Sequence, residues 1–139
     1  MGDLHVEASR LSGGEIPPAM IPGLIDELPV VAVLGSQCER GLTFHGAAEL
    51  RIKESDRIAL VAANLRLMGA EVEEFKDGMR VAGGQKLRGA EIDTQGDHRI
   101  AMAFAVAGLV AEGSTVIRDS GCVEVSFPEF FETLERVTS

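Results

Sequence analysis

The stretch SDRIALVAANLRLMGAEVEEFKDGMRVA, residues 55–82, carries the pattern on which the predicted fold depends. Apolar residues recur at helical spacing from Ile58 onward, and Gly69 follows at a position suited to the end of a helix. Ser55 or Asp56 can cap the first turn, because both side chains accept hydrogen bonds from free backbone N–H groups. The first half of the stretch therefore predicts an amphipathic helix.

The second half predicts a β-hairpin. Segments 71–75 and 79–82 flank Lys76-Asp77-Gly78, and an Asp-Gly pair between two apolar runs is a strong hairpin signal. Helical and strand patterns also alternate along the rest of the chain, with an alternating stretch at 50–53. Pro29 inside the first further helix predicts a kink or a later start. The further helices are predicted at 21–37, 97–112 and 127–137, and the further strands at 3–8, 42–45, 90–93 and 114–118.

A faint internal repeat appears when the chain is shifted by 72 residues. Gly41 then falls on Gly113, and Thr43 falls on Thr115. Each glycine follows an apolar helix and precedes a strand and a second helix. Repeated strand–helix alternation favours an α/β fold built from one unit used more than once.

Composition excludes several classes of protein. The 139 residues are the length of one domain, and 45% apolar with 25% charged residues excludes collagen-like and disordered chains. A net charge of −9 argues against a nucleic-acid groove or an anionic membrane face. The longest apolar run, 100–111, is too short to span a bilayer, and the N-terminus lacks a signal-peptide pattern.

The cysteine and histidine residues show no spacing typical of a metal site or a disulfide. Cys38 and Cys122 are far apart and form no Cys-x-x-Cys pair, so we expect reduced cytosolic thiols and neither a disulfide nor a zinc site. His5 and His45 show no ligand spacing with other His or Cys residues. We therefore expect no metal and a cytoplasmic protein.

Two charged clusters lie at predicted helix starts. Residues 51–57 hold three cations and two carboxylates, which fits either a solvated helix start or an anion site. Lys53 and Arg57 favour the anion site, because the positive end of a helix dipole disfavours unpaired cations. Asp97 is a good N-cap for the second helix, and Arg99 adds a planar donor fork suited to carboxylate or phosphate.

The remaining polar candidates have equally open interpretations. His98 is either a hydrogen-bonded structural histidine or part of a site. Asp26, beside Glu27, is either an exposed acid or a base that faces a pocket. Spacing alone does not separate these alternatives.

Five ordered blocks resemble the C-terminal part of the 5-enolpyruvylshikimate-3-phosphate synthase family, also called 3-phosphoshikimate 1-carboxyvinyltransferases. Their order and spacing agree across nearly the whole chain. The blocks are IPGLIDELP (21–29), ELRIKESDRI (49–58), LMGAEVE (67–73), GDHRIAM (96–102) and SFPEF (126–130).

The resemblance implies an enolpyruvyl transferase fold made of repeated βαβαββ units. This chain would hold about two of them, within one domain at 1–139 and with possible units at 1–89 and 90–139. It implies transfer of the enolpyruvyl group of phosphoenolpyruvate to the 5-hydroxyl of shikimate 3-phosphate, with release of phosphate and without a cofactor. The partners would be these two substrates and the N-terminal part of the enzyme.

The resemblance also implies roles for individual residues. Asp26 would accept the proton of the 5-hydroxyl, and Glu54 would transfer a proton at the phosphoenolpyruvate methylene. Lys53 would help to bind shikimate 3-phosphate, while Arg57 and Arg99 would grip phosphoenolpyruvate. These roles suit the residue types, because both substrates carry several negative charges.

Supporting roles would fall to His98 and Asp97. Two departures from the family pattern stand out: residues 119–125 contain no Lys, where many members have one that touches phosphoenolpyruvate, and the ligand-binding blocks of the family's N-terminal half do not occur. We therefore expect the chain to be inactive alone. The alternative is a non-catalytic α/β scaffold or partner-binding domain.

Overall fold

Two small β-sheets and a set of short helices make up the computed structural model, which describes residues 2–3 and 5–139. The α-helices are α1 (Ile21–Leu24), α2 (Leu28–Gln37), α3 (Arg57–Leu67), α4 (His98–Gly108) and α5 (Phe130–Thr138). The strands are β1 (Gly14–Glu15), β2 (Leu42–Phe44), β3 (Val72–Phe75), β4 (Gly78–Val81), β5 (Glu91–Ile92) and β6 (Val116–Ile117). Short 3₁₀ helices occupy Pro18–Met20, Ala48–Ile52 and Ser120–Val125.

The larger sheet has the strand order β1-β2-β4-β3. Strand β1 pairs in parallel with β2, while β4 pairs antiparallel with both β2 and β3. The hairpin predicted around Asp77-Gly78 is confirmed, since Phe75 and Gly78 are cross-strand partners. Strands β5 and β6 form a separate parallel pair.

Helices α2, α3 and α4 contact one another, and α2 and α3 also contact the larger sheet. One cluster of buried apolar side chains joins these layers. Its largest fully buried members include Leu28, Phe44, Ile58, Ile100 and Phe104. The chain is therefore an α/β protein, as the alternating pattern predicts, and the starts of α3 and α4 are fixed by a shared core.

The first predicted strand is wrong. Residue 4 lies outside the described residues, and residues 5–8 are not in a strand. The strand that forms is β1, further along the chain, because its backbone pairs with β2: the Gly14 N–H donates to the Gly41 carbonyl at 2.9 Å and the Ile16 N–H to the Thr43 carbonyl at 2.9 Å. Pairing with a neighbour, not local alternation, decides where this strand lies.

The helix predicted over 21–37 is two helices, α1 and α2. The helical segments 18–24 and 28–37 meet at a bend of 120°. Pro29 lies in the first turn of α2, so it marks a late start, as one of the two sequence interpretations has it. The break leaves Asp26 and Glu27 in the connecting turn, where their side chains reach other elements.

Other elements differ from the prediction in type or in bounds, and strands β5 and β6 are shorter than the predicted 90–93 and 114–118. The alternating stretch 50–53 lies largely in a 3₁₀ helix. Helix α4 ends at Gly108 instead of residue 112, and α5 begins at Phe130 instead of residue 127. No single helix among the described residues is long and apolar enough to cross a membrane.

The 72-residue shift corresponds to similar backbone in the two halves. Gly41 and Gly113 both have positive φ, at 71° and 90°. A strand, a 3₁₀ helix and an α-helix follow each of them in the same order. The division into units at residues 89 and 90 stays a prediction.

Candidate functional site

The guanidinium group of Arg57 lies at the centre of a cluster of carboxylates. Its side chain is 2% exposed, and its Nε donates to Asp97 Oδ2 at 2.9 Å. Its Nη2 donates to Asp97 Oδ1 at 3.3 Å and to Glu54 Oε2 at 2.6 Å. Its Nη1 donates to Asp26 Oδ1 at 3.1 Å. One cation therefore joins three carboxylates that come from separate parts of the chain.

The starts of α3 and α4 hold this cluster in place. Asp56 caps α3, since its Oδ1 accepts the Ala59 N–H at 3.0 Å. Asp97 caps α4 as predicted, since its Oδ1 accepts the Arg99 N–H at 2.9 Å. The same Asp97 carboxylate therefore caps one helix and binds Arg57 at the start of the other.

Burial and pairing act in opposite directions on the central ion pair. Burial alone raises the pKa of Asp97, but hydrogen bonds from Arg57 and Ser55 and the Arg57 charge hold that pKa below its usual value. Burial alone lowers the pKa of Arg57, while Asp97, Glu54 and Asp26 raise it above its usual value. Both groups are therefore charged across the physiological pH range.

Lys53 lies at the edge of the cluster. Its Nζ is 2.7 Å from Glu49 Oε1 and 3.5 Å from Asp26 Oδ1. The hydrogen bond to Glu49, together with the charge of Asp26, raises the pKa of Lys53. Asp26 therefore bridges Lys53 and Arg57, two of the three cations of the first charged block.

Arg99 lies beside the cluster and binds the neighbour of Asp26. Its Nη1 is 2.5 Å from Glu27 Oε1, across 72 residues of sequence. That separation equals the repeat shift, so the contact joins equivalent positions of the two halves. Arg99 and Asp26 also line a cavity of about 280 Å³ whose walls include the apolar Met102 and Phe130.

The cations of this cluster are not free. Lys53, Arg57 and Arg99 face five carboxylates of the same chain: Asp26, Glu27, Glu49, Glu54 and Asp97. The anion that the helix dipole argument requires beside Lys53 and Arg57 is therefore supplied by the protein itself. An incoming anion has to displace carboxylates before it can bind these side chains.

The carboxylates differ sharply in how easily they can be displaced. The Asp97 side chain is 0% exposed, whereas those of Asp26, Glu54 and Glu27 are 46%, 53% and 53% exposed. A half-exposed carboxylate can be solvated by water when it leaves its cation, whereas the buried Asp97 cannot. The arrangement thus combines one fixed internal counter-ion with an outer ring of replaceable ones.

The structure brings together most of the residues that the sequence singles out. Asp26, Lys53, Glu54, Arg57 and Asp97 share one network of side-chain contacts, and Arg99 adjoins it. His98 is half-buried at the start of α4, and within the described part of the chain its side chain makes no hydrogen bond.

Sequence reasoning missed three members of the network. Glu27 and Glu49 were not expected to pair with Arg99 and Lys53, and Ser55 was expected only as a possible helix cap. The Ser55 hydroxyl instead donates to Asp97 Oδ2 at 2.8 Å. The one signal available in advance was that Ser55 lies between charged residues on both sides.

The stretch without a lysine, 119–125, forms the 3₁₀ helix that contacts α4. Its last residue, Val125, is 82% exposed and directly precedes the SFPEF block. The 3₁₀ helix therefore presents an exposed apolar side chain, and residues 119–125 supply no cation.

Comparison with known proteins gives a consistent result. A family model described as EPSP synthase (3-phosphoshikimate 1-carboxyvinyltransferase) matches residues 2–134. A protein of Koribacter versatilis named 3-phosphoshikimate 1-carboxyvinyltransferase is 58% identical over 137 residues, which cover 99% of this chain and 32% of that protein. A protein of Solibacter usitatus with the same name is 53% identical with the same coverage.

The fold likeness extends to solved structures. An EPSP synthase structure from Acinetobacter baumannii superposes with a TM-score of 0.87 at 38% identity, covering 91% of this chain and 30% of that one. This likeness confirms the enolpyruvyl transferase fold that the family resemblance implies. The chain spans about a third of the length of the curated relatives it matches. It belongs to the EPSP synthase (3-phosphoshikimate 1-carboxyvinyltransferase) family.

Proposed function

We propose that this chain supplies one wall of an active site that transfers enolpyruvyl from phosphoenolpyruvate to the 5-hydroxyl of shikimate 3-phosphate and releases phosphate. The observation that supports this most directly is the convergence of Asp26, Glu54 and Asp97 on the Arg57 guanidinium. Three of the sequence blocks that carry the resemblance, which lie far apart along the chain, thereby meet at the Arg57 side chain.

The proposed proton-transfer groups are the exposed carboxylates of this cluster. Asp26 would accept the proton of the shikimate 5-hydroxyl, and Lys53, 3.5 Å from it, would bind the same substrate. Glu54 would transfer a proton at the phosphoenolpyruvate methylene. Both carboxylate side chains are about half exposed, so they are accessible from solvent.

The proposed anion receptors are Arg57 and Arg99. Substrate phosphate or carboxylate would replace the outer carboxylates on these guanidinium groups, while Asp97 keeps Arg57 in place. This exchange is favourable only when the substrate brings more charge or better geometry than an exposed carboxylate, since bidentate binding to arginine is the stronger arrangement. His98 and Asp97 would support this receptor from the start of α4.

The second wall of the site and the remaining ligand contacts would come from the part of the enzyme that the relatives have and this chain lacks. Catalysis depends on groups held around the whole substrate. We therefore propose that this chain alone has no turnover, and that it works in the cytoplasm as part of the longer enzyme.

A chimera tests the proposal. The matching segment of the Koribacter versatilis relative is replaced by this chain, and phosphate release from phosphoenolpyruvate is measured with shikimate 3-phosphate present. We expect turnover by the chimera, and a loss of about 100-fold or more in kcat for Glu54→Gln and for Asp26→Asn.

The matched control is Glu73→Gln, which removes an exposed carboxylate from β3 on the larger sheet. This variant is expected to retain the activity of the chimera. A folded chimera without activity, beside an active parent enzyme, would contradict the proposal and favour a scaffold or partner-binding role. Turnover by this chain alone that Glu54→Gln abolishes would contradict the need for a second wall.

A further inference from the structure

A buried hydroxyl supports the central ion pair. Ser55 is 9% exposed, and its Oγ donates to Asp97 Oδ2 at 2.8 Å. The same oxygen accepts the Arg57 Nε–H at 2.9 Å. Ser55 thus contacts the counter-ion of Arg57, and within the described residues its hydroxyl makes no hydrogen bond to Asp26 or Glu54.

The Asp97 carboxylate has four donors, two on each oxygen. Oδ2 accepts from Ser55 and from Arg57 Nε, and Oδ1 accepts from Arg57 Nη2 and from the Arg99 N–H. Two of these donors belong to Arg57 itself, so they cannot fix the pair relative to the protein. The other two donors connect the Asp97 carboxylate to the rest of the protein, one on each oxygen: the Arg99 N–H on α4 and the Ser55 hydroxyl before α3.

The local sequence leaves Ser55 free for this contact. Asp56, not Ser55, caps α3. The Ser55 hydroxyl is therefore not used at the helix start, and it points instead across 42 residues of sequence to Asp97. A role limited to helix capping does not account for that contact.

We propose that Ser55 is a positioning residue for Arg57, acting through Asp97: its hydroxyl fixes the plane of the Asp97 carboxylate and hence the direction in which the Arg57 guanidinium faces the outer carboxylates. The consequence for substrate binding rests on the proposed function. The geometric part does not, because it concerns the chain without ligand.

The test uses the Nε–Hε resonance of Arg57 in the ¹⁵N-labelled chain. In the unaltered chain we expect a downfield resonance that exchanges slowly with water. Ser55→Ala should move this resonance upfield and speed its exchange roughly tenfold, because without the Ser55 hydroxyl the Asp97 carboxylate can rotate and its hydrogen bond to the Arg57 Nε–H becomes longer and less linear. Ser55→Thr, which keeps a hydroxyl, should restore the original behaviour.

Ser36→Ala is the matched control. Ser36 is also buried, but its Oγ donates to the Val33 carbonyl at 2.6 Å within α2. The variant removes a buried hydroxyl of the same size, and it should leave the Arg57 resonance unchanged. An Arg57 resonance that is unaffected by Ser55→Ala, or equally affected by Ser36→Ala, would overturn the proposal.

A second variant covers the case in which Ser55→Ala does not fold. Ser55→Cys keeps nearly the same volume with a much weaker donor, and it should shift the resonance in the same direction as the alanine variant. An unshifted resonance in folded Ser55→Cys overturns the proposal.

In the chimera, Ser55→Ala should lower kcat/KM for phosphoenolpyruvate and Ser55→Thr should recover it. An inactive unaltered chimera contradicts the proposed function alone, since the resonance is measured without substrate.

Discussion

The Arg57 Nε and Asp97 Oδ2 atoms are 2.9 Å apart, with side chains only 2% and 0% exposed and 40 residues of sequence between them. This ion pair connects the first turn of α3 to the N-cap of α4. Because this pair is buried, removing one partner should cost much more free energy of unfolding than removing a partner of the exposed pairs around it.

Asp97→Asn should lower the free energy of unfolding by about 3–5 kcal/mol. The substitution leaves the buried Arg57 charge without its internal counter-ion, which is the costly way to break such a pair. Urea unfolding at neutral pH measures the change. Glu73→Gln, at an exposed position, should stay within about 0.5 kcal/mol of the unaltered chain. A small effect of Asp97→Asn would mean that Asp26 and Glu54 suffice to hold Arg57.

Acid should lower the free energy of unfolding by protonating the Asp97 carboxylate. Its pKa is lowered in the folded state, although burial opposes the shift, because Arg57 and Ser55 donate to the carboxylate. Its stabilising contribution is therefore complete above the unfolded pKa of about 4 and is lost as pH falls through the folded pKa.

Urea unfolding from pH 6 down to pH 2.5 measures this loss. The Gly46 N–H and His45 also lower the pKa of Asp77, so that carboxylate contributes in the same range. The difference in unfolding free energy between the unaltered chain and Asp97→Asn, followed across this pH range, isolates the contribution of Asp97. Parallel curves for the two proteins would contradict the prediction.

Glu27→Gln should strengthen anion binding by this chain. Glu27 occupies Arg99 through an exposed pair at 2.5 Å, and such pairs are worth about 0.2–1 kcal/mol, or roughly a 1.5- to 5-fold change in affinity. An NMR titration with phosphoenolpyruvate should give millimolar affinity that weakens with salt.

In that titration, shifts should cluster at residues 53–57 and 96–99, and Arg57→Ala should reduce both clusters. Glu73→Gln makes the same change in net charge outside the cluster and should leave the affinity unchanged. Shifts scattered over the surface, or centred on Lys76 and Lys86, would show that these residues do not form a shared site.

Gly41→Ala should destabilise the chain far more than Gly113→Ala, although the repeat makes the two positions equivalent. Both have positive φ, which costs an alanine about 1–2 kcal/mol. At Gly41 an added Cβ would also lie 2.2 Å from the Val81 carbonyl oxygen, whereas at Gly113 it would meet no atom within 4 Å. We expect losses of about 2–5 and 1–2 kcal/mol, from thermal or urea unfolding. Equal losses would contradict the close approach at Gly41.

The isolated chain should self-associate through the apolar face of α2 and the end of α4. Leu34 and Val110 are 47% and 54% exposed, and they line a groove of about 200 Å³. Exposed contiguous apolar surface favours association. Sedimentation at rising concentration should show it, and Val110→Glu should reduce it. Val6→Glu, at a 79% exposed position outside the groove, should not. A strictly monomeric chain with a high melting temperature would contradict this prediction.

Signals confined to neighbouring residues were sufficient for some elements. Asp77-Gly78 specifies the hairpin through its own turn chemistry, whereas Pro29 leaves a kink and a late start of α2 equally open, and only the structure shows the break before it. Strand β1 has no such local signal, because it exists through hydrogen bonds to β2. Its position could not be predicted from Gly14 and Glu15 alone.

The site shows the same division. The types of side chain that it needs, and the cap at Asp97, are visible in the sequence. Which carboxylate pairs with which cation is not, because it depends on how α3, α4 and the turn at Asp26 pack together. The recruitment of Ser55 by Asp97, across 42 residues, is a product of that packing.

The ion pair between Arg57 and Asp97 also has a consequence for the order in which contacts form during folding. Contacts between residues far apart in sequence form only after the intervening chain has closed, so they tend to be made late in folding. The hairpin around Asp77 lies inside that 40-residue loop and can form first. Because the ion pair is expected to form late, Asp97→Asn should mainly speed unfolding and leave the folding rate nearly unchanged, whereas substitutions in the hairpin should mainly slow folding.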